Sequence, residues 1–374
     1  MRRGLVEALV YVASLCGSKL PERAVNVGGI FVLRNNDIGD LLVATPLFEA
    51  LRRGFPSAAI VAGIGRWNKA VLENNPHVSE ILEVNAPWHN QTATRCAHNS
   101  ARGFLNSLAY IYFSDESKQV QARHFDIGID VLGSPEGSLL LMRCGIPHRL
   151  GVKGYAGGHS GVQQAVNFNP AEHVGRSALR FAELLGAQDL PEVRPQLFLT
   201  PQEGDQAELT WRTLSGDSRA LRIVIGPGGG FAAKCWPLEN YCRLAAKLAA
   251  LGSVRLAIVG GPADARAADA ISAAASGVAT SFAGKHSLRQ TFGLVSLADL
   301  VISNSSMLMH VAAAFGVRSF VLLGSSFKSA REHASQWGHP SSLVLGREVE
   351  HPQIFGADEV YSRITGEIGS ITRR

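Results

Sequence analysis

Short apolar segments rich in β-branched residues alternate with helical segments along most of the chain. This alternation is typical of a parallel, doubly wound sheet with helices on both faces. In the first half the predicted strands lie at residues 30–33, 58–65, 78–85 and 125–133. The predicted helices lie at about 41–53, at 69–74, up to 143, and around 173–186. A second series of the same kind runs from Leu221 to about Leu323, so the pattern predicts two Rossmann-like domains.

Three stretches interrupt this alternation. Residues 86–124 are polar and irregular, and residues 145–161 have the composition of a glycine-rich loop. A stretch punctuated by prolines then ends the first half and is typical of a linker. We therefore expect an amphipathic N-terminal segment at 1–27, a first domain at 28–190, a linker at 191–204, a second domain at 205–350 and a tail helix at 351–374.

The composition favours two folded domains and excludes several classes of protein. The chain has 374 residues, of which 46% are hydrophobic and 18% charged, so it can bury two cores and is not a disordered protein. Its net charge of +5 favours an anionic partner. The sequence has no dense Lys/Arg run with interleaved aromatic residues, so nucleic-acid binding is not predicted. Five scattered cysteines without a CxxC pair indicate no disulfide framework and no metal site, and they favour a reducing, cytoplasmic compartment.

The N-terminal residues combine two arginines with the apolar run LVEALVYVASLC. This run resembles the hydrophobic part of a signal peptide, but Glu7 interrupts it and the residue before Cys16 is a poor lipoprotein cleavage context. It is also too short to span a bilayer, which takes roughly 20 apolar residues. Two interpretations remain: an amphipathic helix packed on the body of the protein, or a helix lying on the inner face of the cytoplasmic membrane.

In the second half, three loops that follow predicted strands are suited to a phosphate group. They lie within residues 223–241, 256–265 and 298–317. Loops at the carboxyl ends of parallel strands offer backbone N–H groups, and helix N-termini add positive dipole ends. Gly228 and Gly229 would let a ligand approach, and Lys234 in the sequence KCWP would add a mobile positive charge. We therefore predict a nucleotide-diphosphate site; the glycines do not form a GxGxxG motif, so NAD is not predicted.

Each residue of this site has an alternative structural role. Asp264 in VGGPAD either hydrogen-bonds a ribose hydroxyl or caps the helix that follows it. Ser305 and Ser306 either cap the next helix or leave its N–H groups to a phosphate. His310, one turn inside that helix, is either a core residue or a functional one. Lys234 has the alternative of a solvated loop lysine.

In the first half, the polar loop at residues 34–40 follows the first strand. Asp40 is either a general base that removes a proton from an acceptor hydroxyl or the N-cap of the next helix, and Asp37 is the other candidate for both roles. The cations of this half predict a binding surface for an anionic acceptor: Arg34, Arg143, Arg149 and Lys153. Two doubly wound domains would enclose a cleft between the carboxyl ends of their sheets, where nucleotide and acceptor would meet.

Taken together, these motifs resemble the heptosyltransferase family, glycosyltransferase family nine, of lipopolysaccharide core synthesis. The matching pieces are RxxxIGD, LxxxTPLxxALR, KCWPLENY, VGGPAD, FAGKHSLRQTFGLVSLADLVISN and MHVAAAFGV, within about residues 30–346. The resemblance implies an α/β GT-B fold, with two doubly wound Rossmann-like domains facing an interdomain cleft. It also implies inverting, metal-independent transfer of a heptose-like sugar, without a cofactor, from a nucleotide sugar such as ADP-heptose to a lipopolysaccharide-core or other cell-surface glycan acceptor.

The resemblance also implies roles for single residues. Asp40 matches the family's base, Lys234 its phosphate-binding lysine, Asp264 its ribose-contacting acid and His310 the histidine of its C-terminal motif. The family usually has DTGPMH where this chain has SSMLMH, so Ser305 replaces an acid and the following glycine is lost. This departure motivates one alternative, a family member that binds a nucleotide sugar or glycan without turnover. A nucleotide-sugar epimerase on the same fold is a second alternative.

Overall fold

The computed structural model describes residues 10–12, 27–88, 101–214 and 220–371. The chain divides into two compact units, Met1–Val193 and Arg194–Arg374. No helix among the described residues is both long enough and apolar enough to cross a membrane. Of the N-terminal segment, Val10 is buried in the core of the first unit, while most of the segment lies outside the described residues.

The first unit contains a six-stranded sheet in which every neighbouring pair of strands is parallel. The strands are β1 (Gly29–Leu33), β2 (Ala59–Ile64), β3 (Glu80–Glu83), β4 (Ile127–Asp130), β5 (His148–Lys153) and β6 (Gln164–Asn167). Their spatial order is β3-β2-β1-β4-β5-β6. In this doubly wound order the chain moves outward from β1 in one direction and later from β4 in the other.

Helices flank this sheet. They are α1 (Ile38–Ala44), α2 (Pro46–Gly54), α3 (Lys69–Leu72), α4 (Ala101–Phe113), α5 (Asp115–Ala122), α6 (Pro135–Arg143) and α7 (Val174–Leu184). Since helices cover the faces of a parallel sheet, its central strands are buried on both sides and consist of continuous apolar residues. Ile30, Phe31, Val32 and Leu33 of β1 are accordingly all at most 1% exposed.

The second unit repeats this architecture with a sheet of its own. Its strands are β7 (Leu221–Gly226), β8 (Val254–Ile258), β9 (Ala279–Ser281), β10 (Leu300–Asn304), β11 (Arg318–Leu322) and β12 (Ser342–Leu345). Their spatial order is β12-β11-β10-β7-β8-β9, and every neighbouring pair is parallel. The predicted fold class, α/β with two doubly wound Rossmann-like domains, is therefore confirmed.

The helices of the second unit pack their apolar faces on this sheet. They are α8 (Pro201–Leu214), α9 (Leu238–Ala249), α10 (Ala265–Ala274), α11 (Leu288–Ser296), α12 (Met307–Ala314), α13 (Ala330–Trp337) and α14 (Ala357–Ile371). One hydrophobic core joins β7, β8, β10 and β11 to α9, α10 and α14, with Tyr241 and Phe320 among its fully buried side chains. This core fixes the strand ends from which the loops of the second half emerge.

Four elements differ from the sequence-based predictions. The helix predicted at 41–53 is two helices, because Pro46 lacks the N–H that would continue α1 and instead begins α2. The predicted loop at 145–161 contains strand β5. The stretch at 86–124 contains helices α4 and α5, although residues 89–100 lie outside the described part. Helix α8 begins at Pro201, inside the predicted linker.

Candidate active site

At the carboxyl edge of the second sheet, β7 and β10 are neighbours from which the chain moves away in opposite directions. Loops that leave two such strands diverge, and ligands of doubly wound sheets bind in the crevice between them. The glycine loop, residues 227–230, follows β7, and Ser305 and Ser306 follow β10. The fold thus brings residues from separate motifs to one edge of one sheet.

Asn304, the last residue of β10, holds these loops together and is fully buried. Its Oδ1 accepts hydrogen bonds from the N–H of Trp236 at 2.8 Å and from the hydroxyl of Tyr241 at 3.0 Å. Its Nδ2 donates to the carbonyls of Pro227 at 2.5 Å and Gly228 at 3.3 Å. One amide therefore links the glycine loop, helix α9 and the lysine turn (residues 231–237). Asn304 was not among the site residues predicted from the sequence, although its place at the end of an apolar strand was an available signal.

The glycine loop lies directly against Asp264. A Cβ atom at Gly228 would lie 2.7 Å from both carboxylate oxygens of Asp264, and one at Gly229 would lie 2.9 Å from Sγ of Cys235. Asp264 precedes α10, but its carboxylate accepts a hydrogen bond from the N–H of Gly261 at 2.9 Å and does not cap the helix. The glycines therefore permit close contact between three chain segments, and the half-buried carboxylate of Asp264 lies at their junction.

Lys234 ends a short 3₁₀ turn, Ala232–Lys234, between the glycine loop and α9. Backbone hydrogen bonds tie this turn to the loop after β11: the N–H of Ser326 donates to the carbonyl of Ala233 at 2.8 Å, and that of Gly324 to the carbonyl of Lys234 at 3.3 Å. The side chain of Lys234 is half-buried. A fixed backbone carrying a long, flexible ammonium side chain gives this edge a cation that can follow a phosphate group.

Ser306 is the N-cap of α12, and its hydroxyl accepts a hydrogen bond from the N–H of Leu308 at 3.4 Å. Ser305, just before it, is buried, and Met307 begins the helix half-buried. His310 is buried one turn further along, where its Nδ1 lies 2.8 Å from Nε2 of His339. The two serines thus lie at the carboxyl edge of the sheet, while His310 contacts a second histidine inside the same unit.

In the first unit, Asp40 lies in the first turn of α1 and Asp37 is the N-cap, so the interpretation of Asp40 as the N-cap is wrong. Nη2 of Arg34 lies 3.5 Å from Oδ1 of Asp40, and its Nε donates to the Asp40 carbonyl at 3.2 Å. The Arg34 side chain is 6% exposed, whereas that of Asp40 is 25% exposed. Arg34 therefore orients a carboxylate that stays accessible, as a general base must be.

Two side chains of the segment that follows β2 donate hydrogen bonds to the loop that carries Arg34. The carbonyl of Asn36 accepts hydrogen bonds from Nε1 of Trp67 at 2.8 Å and from Nδ2 of Asn68 at 2.9 Å. The N–H of Arg34 also donates to the carbonyl of Gly63 at 3.0 Å. These bonds fix the backbone between β1 and Asp40, which a precisely placed carboxylate requires.

Asp130, the last residue of β4, is 1% exposed. It was not predicted from the sequence as a site residue. Its carboxylate accepts hydrogen bonds from the N–H of Leu132 at 3.1 Å and from the N–H and hydroxyl of Ser134 at 2.7 and 3.1 Å. Burial raises the pKa of Asp130 to about 6, although these hydrogen bonds act in the opposite direction. Asp130 therefore stabilises the turn into α6, beside β1. The sequence feature that could have identified it is an acid at the end of the apolar strand FDIGID.

The four cations predicted to bind an acceptor have different surroundings. Arg149 lies in β5 and is 5% exposed, and its guanidinium donates to two backbone carbonyls at 2.7 and 2.9 Å. Burial lowers the pKa of Arg149, and its prediction as a loop cation is wrong. Arg34 contacts Asp40. Arg143 ends α6 with its guanidinium 5.8 Å from the ring centre of Tyr112, and Lys153 ends β5 exposed to solvent.

Metal-binding potential can be assessed for the described part of the chain. Within it, no group of three or more His, Cys, Asp or Glu side chains is arranged to hold a metal ion. Cys144, Cys235 and Cys242 are free thiols, and the other two cysteines lie outside the described residues.

A sequence profile of the family described as glycosyltransferase family 9 (heptosyltransferase) matches residues 116–341, more than half of the chain. The chain belongs to this family. The matched stretch includes the glycine loop, the lysine turn, Asp264 and the two serines, whereas Asp40 lies before it. The protein is thus a family 9 glycosyltransferase, and the loops of the second unit are part of its family signature.

Relatives and solved structures extend the similarity over nearly the whole chain. Lipopolysaccharide heptosyltransferase 2 of Escherichia coli is 26% identical over 332 residues, covering 85% of this chain and 88% of the relative. Lipooligosaccharide heptosyltransferase 2 of Haemophilus influenzae is 26% identical over 310 residues, covering 79% and 83%. The crystal structure of a family 9 glycosyl transferase from Veillonella parvula matches with a TM-score of 0.73 at 19% identity, covering 95% of this chain and 99% of that one. Both units of this family 9 member therefore have counterparts of the same fold.

Proposed function

We propose that this family 9 glycosyltransferase transfers a heptose-like sugar from a nucleotide diphosphate sugar, such as ADP-heptose, to a lipopolysaccharide-core or other cell-surface glycan acceptor. The convergence of the glycine loop, Lys234, Asp264 and the N-terminus of α12 at one sheet edge carries the proposal. A nucleotide diphosphate sugar needs N–H groups and a cation for its phosphates and an acceptor for its ribose hydroxyls. The names of the E. coli and H. influenzae relatives support a heptose donor and a lipopolysaccharide acceptor.

The proposed reaction is a direct displacement with inversion at the anomeric carbon. Asp40 accepts the proton of the acceptor hydroxyl as the oxygen attacks the face opposite the diphosphate. The new glycosidic bond forms while the bond from the anomeric carbon to the diphosphate breaks. Arg34 orients the Asp40 carboxylate through its contact at 3.5 Å, which leaves the rest of that carboxylate for the substrate.

In this proposal, protein groups of the second unit stabilise the departing diphosphate. Lys234 supplies a full positive charge, and the N-terminus of α12, which Ser305 and Ser306 precede, supplies the positive end of a helix dipole. Gly228 and Gly229 let the phosphates approach the backbone, and Asp264 accepts hydrogen bonds from the ribose. We propose that these groups suffice without a metal ion, and His310 supports α12 through His339.

On the acceptor side, the proposal retains Arg143 and Lys153 as the cations that attract an anionic glycolipid or glycan. Lys153 is exposed at the end of its strand. Arg149 is left out of the acceptor site because its guanidinium is occupied by backbone carbonyls. An acceptor anchored in lipid would bring the enzyme to the inner face of the cytoplasmic membrane, and we propose a cytoplasmic protein with such peripheral contact.

The serine that replaces the family's acid is the observation that favours a changed donor site. A serine hydroxyl accepts hydrogen bonds more weakly than a carboxylate, so the grip of Ser305 on the donor sugar is reduced. Family membership favours glycosyl transfer over epimerisation and over binding without turnover. Detection of the transferred sugar on an acceptor, rather than of free sugar or an epimer of the donor, separates the three activities.

Asp40→Asn tests the mechanism, because it keeps the shape of the side chain but removes the proton acceptor. Turnover is expected to fall roughly 100- to 10,000-fold, the usual range for loss of a general base. Binding of ADP, measured by calorimetry, is expected to stay unchanged, since the donor residues belong to the other unit. Transfer is measured with ADP-heptose and isolated lipopolysaccharide core.

Asp37→Asn is the matched control. Asp37 occupies the N-cap position three residues earlier without a side-chain capping hydrogen bond, and asparagine is equally favoured at that position, so activity and stability are expected to stay near those of the wild type. Near-wild-type transfer by Asp40→Asn would contradict the proposed base. A wild-type protein that binds ADP but never transfers sugar would contradict the proposed function.

A further inference from the structure

The loop after β11, residues 323–329, leads into α13 and lies against the lysine turn. Two backbone hydrogen bonds already described join this loop to the carbonyls of Ala233 and Lys234. A Cβ atom at Gly324 would lie 2.5 Å from the carbonyl oxygen of Cys235, so the two segments are in direct backbone contact. The start of α13 is therefore fixed relative to Lys234.

His333 lies on α13 and is 8% exposed, with its ring 4.9 Å from that of Phe327 in a T-shaped contact. Its Nε2 is enclosed and makes no hydrogen bond to any residue that the structure describes. Burial and the neighbouring Lys234 charge lower the pKa of His333 to about 4, so the ring is neutral near pH 7. An enclosed polar atom without a partner is uncommon in native folds and calls for an explanation.

The strand order shows which part of the donor His333 would meet. Across the sheet, β8, β7, β10 and β11 are successive neighbours. Asp264 follows β8, Lys234 follows β7, Ser306 follows β10 and His333 follows β11. If the ribose contacts Asp264 and the diphosphate contacts Lys234, as proposed above, the phosphates extend along this row of loops towards β11, and the outer phosphate is the part of the nucleotide nearest to α13.

We infer that His333 is a further donor-binding residue, whose Nε2–H donates a hydrogen bond to the outer phosphate, the one that carries the sugar. This inference rests on the proposed function. Because Nε2 is enclosed, the proposed bond requires neighbouring side chains to move when the diphosphate binds; Lys234, whose charge acts on His333, is one such neighbour. A neutral imidazole adds direction without adding charge, so Lys234 supplies the charge and His333 fixes the position of the leaving oxygen.

The alternative role of His333 is packing, since its ring contacts Phe327. Two substitutions separate these roles. His333→Phe keeps an aromatic ring of similar size but has no N–H, whereas His333→Gln retains an N–H donor near the position of Nε2. His351→Phe is the control, because the ring of His351 also contacts a phenylalanine of the second unit, there by stacking, but lies outside the proposed site.

Calorimetry with ADP and AMP on the full chain measures the effect. His333→Phe is expected to weaken ADP binding roughly 10- to 100-fold, the loss of a hydrogen bond to a charged group, and to leave AMP binding unchanged. His333→Gln is expected to recover most of the ADP affinity, and His351→Phe to match the wild type. In ¹⁵N-histidine spectra of the wild type, ADP but not AMP is expected to shift the His333 Nε2 signal.

Unchanged ADP affinity in His333→Phe would overturn the inference while leaving the proposed function intact. Equal weakening of ADP and AMP, with the Nε2 signal unmoved by ADP, would do the same and assign the ring to packing. If a substitution prevents folding, the wild-type spectra still decide between these outcomes. A wild-type protein that binds neither nucleotide would overturn the proposed donor itself, and His333 with it.

Discussion

Single buried side chains fix the loops of the second unit from the core side, and Asn304 has the most partners among them. Its four hydrogen bonds reach residues 63 to 77 positions away in sequence. Such long-range amide contacts cost little while every group is paired, but each unpaired group left in the interior is expensive. The arrangement of the glycine loop and lysine turn therefore depends on one residue that touches no ligand in the proposed site.

Asn304→Ala is expected to lower the free energy of unfolding by roughly 2–4 kcal/mol, because it leaves the buried N–H of Trp236 and the carbonyls of the glycine loop without partners. Denaturant unfolding measures this loss. Tyr241→Phe is the matched control: it removes only the hydroxyl bonded to Asn304 at 3.0 Å and should cost about 1 kcal/mol. Equal stability of the two variants would contradict the central position of Asn304.

For single residues, the sequence predicts a role only where that role follows from the residues next to them in the chain. Lys234 follows a glycine run, and Asp264 follows two glycines and a proline, so local motifs pointed to both. Asn304, Asp130 and Arg149 owe their roles to partners on other strands or loops, which no local pattern reveals. Arg149 in particular lies in a stretch with the composition of a loop. Its carbonyl partners come close to it only when β5 joins the sheet.

Among the elements, helix α8 is joined to α11 by an ion pair of two side chains with little exposure. Nε and Nη2 of Arg289 lie 2.6 and 2.5 Å from the two carboxylate oxygens of Glu203, and Nη2 also donates to the carbonyl of Phe198 at 2.7 Å. The hydrogen bond from Arg289 is the main reason why the pKa of Glu203 falls to about 2. The pair therefore stabilises the fold only while Glu203 is ionised.

Glu203→Gln is expected to lower the free energy of unfolding by about 1–2 kcal/mol at pH 7, since it leaves the buried guanidinium of Arg289 with a neutral partner. The folded-state pKa lies below the unfolded value of 4.5, so the wild-type advantage is complete above that value. It is lost as the pH falls from 4.5 towards 2. Glu239→Gln, at an exposed acid of α9, is the control and should show no such pH dependence. A constant difference across this range would contradict the pairing.

The alternation of apolar and helical segments predicts most strands. It does not show where one helical pattern contains two helices, or where an element lacks the usual apolar pattern. Pro46 divides one amphipathic stretch into α1 and α2, although the apolar period runs through both. Strand β5 carries a glycine and three cations or histidines, so its six residues lack the usual β-branched signature. Helices α4 and α5 are partly polar, and their stability comes from packing that the sequence pattern does not display.

In the whole molecule, two units repeat one strand order but carry different chemistry. The first ends β1 with a loop that presents Asp40, and the second ends β7 and β10 with loops suited to phosphate. The sequence predicts this division because each motif follows a strand, and carboxyl ends of parallel strands share an edge. The departures at Ser305 and Met307 lie just after β10, whose five residues are all buried.

This division predicts that donor binding belongs to the second unit alone. Every residue proposed to bind the nucleotide lies within Arg194–Arg374, and that unit has its own sheet and core. Expressed alone, it is expected to fold cooperatively and to bind ADP with an affinity close to that of the full chain, without any glycosyl transfer, because Asp40 is absent. Lys234→Ala in the isolated unit should weaken ADP binding roughly 10-fold or more through loss of a charge-assisted contact. Calorimetry compares the three proteins. A folded isolated unit that fails to bind ADP while the full chain binds it would mean that the first unit contributes donor contacts, and the division of chemistry between the two sheets would have to be abandoned.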